Sequence, residues 1–259
     1  MRASRFLAVT MLSALGVSAV AACGPDDGGS KDAAAPKASA SASPSAAAGG
    51  LESLSVGDIL KKSQAAGAKV TSVKLTFKLK MDASTTMTGA VAEDGKGNCA
   101  GKIGFEGKGQ ADILRQGATL YLKPDTAFLN AFAPGSSAVV GGKYMKLGAD
   151  AAKAKEFATF CDLGLQTLKQ VGQNDDGSDV AGTKSGGKQV DGVKALIIKD
   201  QDAGTAAEIA IAEEGEPYVL SLITTGDDQG SMQFSDFDKP VTVTVPPAAQ
   251  VIDGGKYLG

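Results

Sequence analysis

Val73-Lys74-Leu75-Thr76-Phe77-Lys78-Leu79-Lys80-Met81 alternates an apolar side chain with lysine or threonine at every step. Period two marks a β-strand, because successive side chains leave opposite sides of an extended backbone. A helix would spread the same lysines around its whole circumference. The stretch therefore belongs to a sheet with one packed and one wet face, which is the habit of antiparallel sheets.

Working outward, further strands are expected at Met87 to Ala92, Gly101 to Glu106, Gln110 to Arg115 and Thr119 to Lys123, with Gln116-Gly117 as a tight turn. The glycine-rich stretch from Gly95 to Gly109 predicts a loosened register. Lys143 to Leu147 fits a small strand. A second strand set follows at Val190 to Asp200, Ala207 to Glu213, Tyr218 to Thr225, Ser231 to Phe237 and Val241 to Val245, with Asp191-Gly192, Glu214-Gly215 and Asp227 to Gly230 as turns. Ser55 and Asp58 form an N-cap and acidic first turn for a short helix to about Ala66. Asp125 to Phe132 predicts another. Asp150 to Leu168 is expected to be helical, since Phe157, Phe160, Cys161, Gly164 and Leu168 share one stripe. Strands joined by hairpin-length turns, with helices before and between the two sets, define an α+β fold on a large antiparallel sheet.

The N-terminus is of a different kind. Arg2 and Arg5 precede an apolar run from Phe6 to Val20 that ends Val20-Ala21-Ala22-Cys23. A basic start, a short apolar middle and small residues before the cut are the marks of an export signal, cleaved here between Ala22 and Cys23. The ending resembles the bacterial lipobox, in which the cysteine carries diacylglycerol. On that reading, residues 1–22 are the signal peptide and Cys23 is the lipidation site. Two or three acyl chains on one residue give durable attachment where a single chain does not. The competing reading is an ordinary secretory signal with a chance cysteine. Apart from Cys23, Lys31 and Lys37, residues 23–50 are Ala, Ser, Pro, Gly and Asp with almost no large apolar residue, so they read as a disordered tether. It would hold the domain roughly 30 Å from the membrane.

The 259 residues include no histidine, and the formal charge of −3 is scattered rather than blocked. The usual general base at neutral pH and the commonest metal ligand are thereby missing, and lysines and carboxylates gather in no ordered spacing. The sequence points to no catalytic residue, no metal site and no cofactor. Arg115 is the only arginine outside the leader, so nucleic acid is not an expected partner. Cys99 and Cys161 are left over in an exported chain, where two thiols are expected to pair; two free buried thiols are the rival reading. The closed loop of about 60 residues would contribute roughly 3 to 4 kcal/mol.

The order of these features resembles actinobacterial lipoproteins of the LppX/LprAFG type. The resemblance rests on the lipobox, the tether, the opening helix, Val73 to Met81, Gly97-Asn98-Cys99, Leu114-Arg115 and Ala118-Thr119-Leu120-Tyr121-Leu122-Lys123-Pro124-Asp125. The ending Phe234-Ser235-Asp236-Phe237-Asp238-Lys239-Pro240-Val241, then Val245-Pro246-Pro247 and Val251, is similar as well. It spans residues 51–253 and leaves 254–259 as a C-terminal tail. What it implies is a half-open antiparallel barrel of the LolA type, with a few helices packed on the concave face. It further implies a lipid-anchored protein on the extracytoplasmic side of the cell membrane that binds or carries a lipid or other hydrophobic envelope molecule without covalent chemistry. The alternative is a protein-interaction or envelope-sensor module of the same fold, its protein partner unnamed by the sequence. Phe77, Leu79 and Met81 are expected as cavity wall or as plain core. Arg115 is expected as a headgroup contact or as a solvated strand-end charge.

Overall fold

The computed structural model describes residues 50–148, 151–173, 179–202, 205–226 and 229–258. The expected leader, the anchor Cys23 and the tether up to residue 49 lie outside the described residues, as do Asp150, Asp227 and Asp228.

The first strand set comprises β1 (Ser72–Lys80), β2 (Thr86–Asp94), β3 (Asn98–Phe105), β4 (Gly109–Gln116), β5 (Thr119–Pro124) and β6 (Tyr144–Leu147). The second comprises β7 (Gly182–Val190), β8 (Val193–Asp202), β9 (Thr205–Ala212), β10 (Val219–Thr225) and β11 (Gly230–Ser235), and β12 (Val251–Asp253) follows. All twelve form one sheet in the order β12-β6-β5-β4-β3-β2-β1-β11-β10-β9-β8-β7. The stretch Val73 to Met81 thus supplies the seam between the two sets: Val73 stands opposite Glu93 and Phe77 opposite Gly89 of β2, while Leu75 stands opposite Phe234 of β11. Every neighbouring pair is antiparallel except β12 with β6. The sheet is curved and unclosed, a half-open barrel.

Six α-helices are described: α1 (Val56–Gly67), α2 (Thr126–Phe132), α3 (Ser137–Val140), α4 (Ala152–Ala158), α5 (Leu163–Gln170) and α6 (Gly255–Leu258). Ser55 caps α1 by accepting the Asp58 amide at 3.2 Å, and Asp125 caps α2 by accepting that of Phe128 at 2.7 Å. Such caps contribute about 1 kcal/mol each. On the concave face α5 lies against β1 and β2, α1 covers α5, and α2 packs on β4 and β5. Their common core includes Ile59, Val73, Leu75, Met87, Val91, Ile113, Leu122, Phe128, Leu165 and Leu168. A smaller cluster of Ala195, Ile197, Ala210, Ala212 and Leu220, with Val190 and Phe237 against it, lies apart from that core. In β8, Ile197 and Ile198 are both buried, so this part of the sheet is covered on its two faces.

Where the sequence and the structure differ, the cause is visible. The helix expected from Asp150 to Leu168 is broken into α4, a 3₁₀ turn at Thr159–Cys161 and α5, because Arg115 of β4 draws off the carbonyls of Ala158 and Cys161. The strand expected at Val241 to Val245 forms no ladder; the five residues are fenced by Pro240 on one side and Pro246-Pro247 on the other, which leaves little room for pairing. β7 is an additional strand, and its sequence, Gly-Thr-Lys-Ser-Gly-Gly-Lys-Gln-Val, carries no apolar alternation. Residues 254–259 were expected as a tail; within them α6 docks on β6, with Leu258 buried. The closing motif ties the end of β11 to the start of β1: Asp238, at φ 58°, accepts the Thr71 amide and hydroxyl, each at 2.8 Å.

Candidate functional site

Phe77, Leu79 and Met81 run in line along one face of the seam strand toward its rim, and they meet three different environments. Phe77 is 3% exposed and its ring stacks on Phe160 at 6.2 Å. It lies flat over Gly89, where a Cβ would come within 2.3 Å of the ring, so glycine is what admits the phenyl there. Leu79 is half-buried, and Met81, one residue beyond β1, is 39% exposed. Leu79, Met87 and Phe105 stand side by side across β1, β2 and β3. Phe105 meets Phe132 of α2 at 5.0 Å, Phe132 meets Phe128 at 4.5 Å, and Phe132 is 40% exposed. The rim of the concave face is therefore apolar and partly open to water.

Arg115 is not among them. Three strands away on β4, its guanidinium lies beneath the turn between α4 and α5, and its five N–H groups make five hydrogen bonds. Nε–H donates to the Gly97 carbonyl at 3.1 Å. Nη1 donates to the Ala158 carbonyl at 3.4 Å and Asp162 Oδ2 at 2.7 Å. Nη2 donates to the Cys161 carbonyl at 3.1 Å and Asp162 Oδ1 at 2.5 Å. Both carboxylate oxygens are held by the planar fork, an arrangement lysine cannot reproduce. With every donor engaged inside the protein and only 8% of it exposed, Arg115 acts as a clamp and is not the solvated strand-end charge that was one of its two expected readings.

Beside the clamp, Cys99 of β3 and Cys161 are joined by a disulfide, with 5.5 Å between their Cα atoms. Glu93 of β2 completes the cluster. Period two places it on the same face as Met87 and Val91, and it is 0% exposed. Its Oε1 accepts the Leu165 amide in the first turn of α5 at 2.6 Å, while Oε2 is buried without a partner. Burial pushes its carboxyl up to about 7 from an ordinary 4.5; the Leu165 amide pulls down, Asp162 pushes up, and Arg115 and the Gly164 amide pull down more weakly. Glu93 and Asp162 were not singled out in the sequence. The spacing from Met87 carries a signal for the first, whereas nothing local marks the second.

Two cavities are described. One of about 460 Å³ opens along β7 to β10 and is lined by Thr183, Lys199, Glu208, Ile223 and Thr225 among others. The other, of about 80 Å³, lies between α1 and the chain after α5. Among the described residues no group of three or more Cys, Asp or Glu is placed to hold a metal ion, and no helix is long and apolar enough to cross a membrane.

No protein-family model matches the chain, and no curated protein matches it either. Among solved structures it is similar to LprF from Mycobacterium bovis, with 15% identity, coverage of 73% of this chain and 96% of that one, and a TM-score of 0.53. It is also similar to the lipoprotein LppX from Mycobacterium tuberculosis, with 16% identity, coverage of 73% and 97%, and a TM-score of 0.48. The likeness to LprF is one of fold, the half-open barrel described above.

Proposed function

We propose that this chain is an extracytoplasmic lipoprotein, anchored through Cys23, that holds a lipid or other hydrophobic envelope molecule and performs no covalent chemistry. The observation that carries this reading is the apolar rim at Leu79, Met81, Phe105 and Phe132. A concave apolar face roofed by short helices, with greasy side chains left partly open at its edge, has an entry point that a merely structural core does not need. The lipobox and the sequence resemblance support the anchor and the class of cargo, and the LprF fold supports the architecture. Cargo would enter between α2 and β1 to β3, with Phe77 as the inner wall.

The test is mass spectrometry of organic extracts from the purified chain, together with uptake of an apolar fluorescent probe. Phe132→Asp is expected to weaken probe uptake by about 10- to 100-fold, the equivalent of roughly 1.5–3 kcal/mol of lost apolar contact. No extracted lipid and identical uptake by both proteins would end the carrier reading. The anchor is tested apart: labelled palmitate should mark the wild type and leave Cys23→Ser unmarked, and label on both would remove Cys23 from the account.

One observation favours the second reading, a protein-interaction or sensor module. The larger described cavity has a mixed polar lining and lies along β7 to β10, away from the apolar rim. Crosslinking in cells that returns one specific membrane protein, with no lipid extracted, would select it.

A further inference from the structure

The carboxyl of Glu93 lies at the end of β2 away from the apolar rim, buried at the point where α5 meets the sheet. Its surroundings are few. From β1 come Val73 and Leu75, and Gly164 of α5 lies so close that a Cβ there would be 3.0 Å from Val73 and 3.1 Å from Glu93 Oε1. From β3 comes the half-cystine Cys99, opposite it in the ladder. The charged groups that face it are Asp162, in the turn before α5, and Arg115 of β4. Arg115 spends its donors on Asp162 and three carbonyls, so it leaves Glu93 without a direct ion pair.

We propose that Glu93 is a proton-operated latch, docking α5 onto β1 and β2 while protonated and loosening it once ionised. A neutral carboxyl can sit in this pocket with Oε1 taking the Leu165 amide. A carboxylate there has the Leu165 amide and a weaker contribution from that of Gly164, but its second oxygen is buried without a partner and Asp162 is a like-charged neighbour, which is a costly way to bury a charge. Loosening relieves it by admitting water. The ends of α5 suit such a movement. Its start is pinned at Cys161 by the disulfide and at Asp162 by Arg115, while its far end runs into Gly172 at φ 85°. A swing about Asp162 would uncover Val73 and Leu75.

The direction with pH follows from the docked carboxyl standing at about 7 and a released one at its ordinary 4.5. Below the ordinary value both states hold the proton, and docking is at its firmest. Between the two values the docked state must keep a proton that the released state gives up, so docking weakens as pH rises and levels off above about 7.

Amide hydrogen exchange on the full chain tests this, expressed as protection factors so that the intrinsic pH dependence is removed. Protection of Leu163 to Gln170 is expected to fall by up to about 70-fold between about pH 5 and about pH 8 in the wild type, and to stay within about 3-fold in Glu93→Gln. Unchanged protection in the wild type, or the same fall in the variant, overturns the latch. Should Glu93→Gln fail to fold, carbon-13 titration of the Glu93 carboxyl in the wild type decides: a midpoint near 7 supports the latch and one near 4.5 overturns it. Neither measurement reads cargo or membrane, so the latch stands or falls apart from the carrier reading.

Discussion

Replacing Cys99 and Cys161 together by alanine should lower the stability of the domain by about 4 kcal/mol, the larger of the two strongest effects we expect. The bond closes a loop with a sequence separation of 62, and the chain-entropy cost it spares the folded state grows with the logarithm of that loop. Both sulfurs are fully buried, so the double variant also leaves unfilled volume. Urea unfolding of the wild type and the variant under non-reducing conditions gives the comparison. Coincident midpoints would show that the bridge contributes nothing. A milder check is a thiol count on unfolded, unreduced protein, in which Cys99 and Cys161 should contribute none.

Arg115→Met should cost about 3 kcal/mol. Losing the guanidinium leaves the Asp162 carboxylate and the carbonyls of Gly97, Ala158 and Cys161 without their donor. Asp162 is 42% exposed and regains some hydration, which keeps the estimate at the lower end of what a broken buried pair loses. Arg115→Lys should recover less than half, since a single ammonium cannot span both carboxylate oxygens and three carbonyls. Because Arg115 also draws the Glu93 carboxyl downward, Arg115→Met should shift that titration further up. Denaturant midpoints check the first effect and carboxyl titration the second; a methionine variant equal to wild type in both would refute the clamp.

Much of the architecture could be read from local chemistry, because it depends on neighbours in the chain. The alternation from Val73 to Met81 needs no partner to be recognised, and it identified the strand at the centre of the sheet. The Asp191-Gly192 turn, with φ of 49° and 81°, is a pairing of residues that local rules anticipate for a two-residue hairpin. What escaped depends on distant groups. The break at Asp162 follows from Arg115, 47 positions earlier, and nothing around Phe160 announces it. β12 exists only because β6 offers it an edge, and β7 takes its strand form from β8 rather than from any pattern of its own. The same division holds for the site. Counting thiols was enough to pair Cys99 with Cys161, whereas Arg115 could be noticed but not assigned a partner. Glu93 was hidden by its neighbour Asp94, a second acid that makes the end of β2 resemble solvated chain.

The unclosed sheet leaves β7 with one side free of any ladder among the described residues. Its register slips between Lys184 and Gly187, and Gly186 turns through φ 46°. Lys184 donates to the Glu52 and Leu54 carbonyls and Lys188 pairs with Glu208, so both cations are committed on this strand. A foreign strand trying to add here would meet an interrupted row of amides and two ammonium groups it must strip of partners. A barrel can then stay ajar without becoming a seed for fibrils.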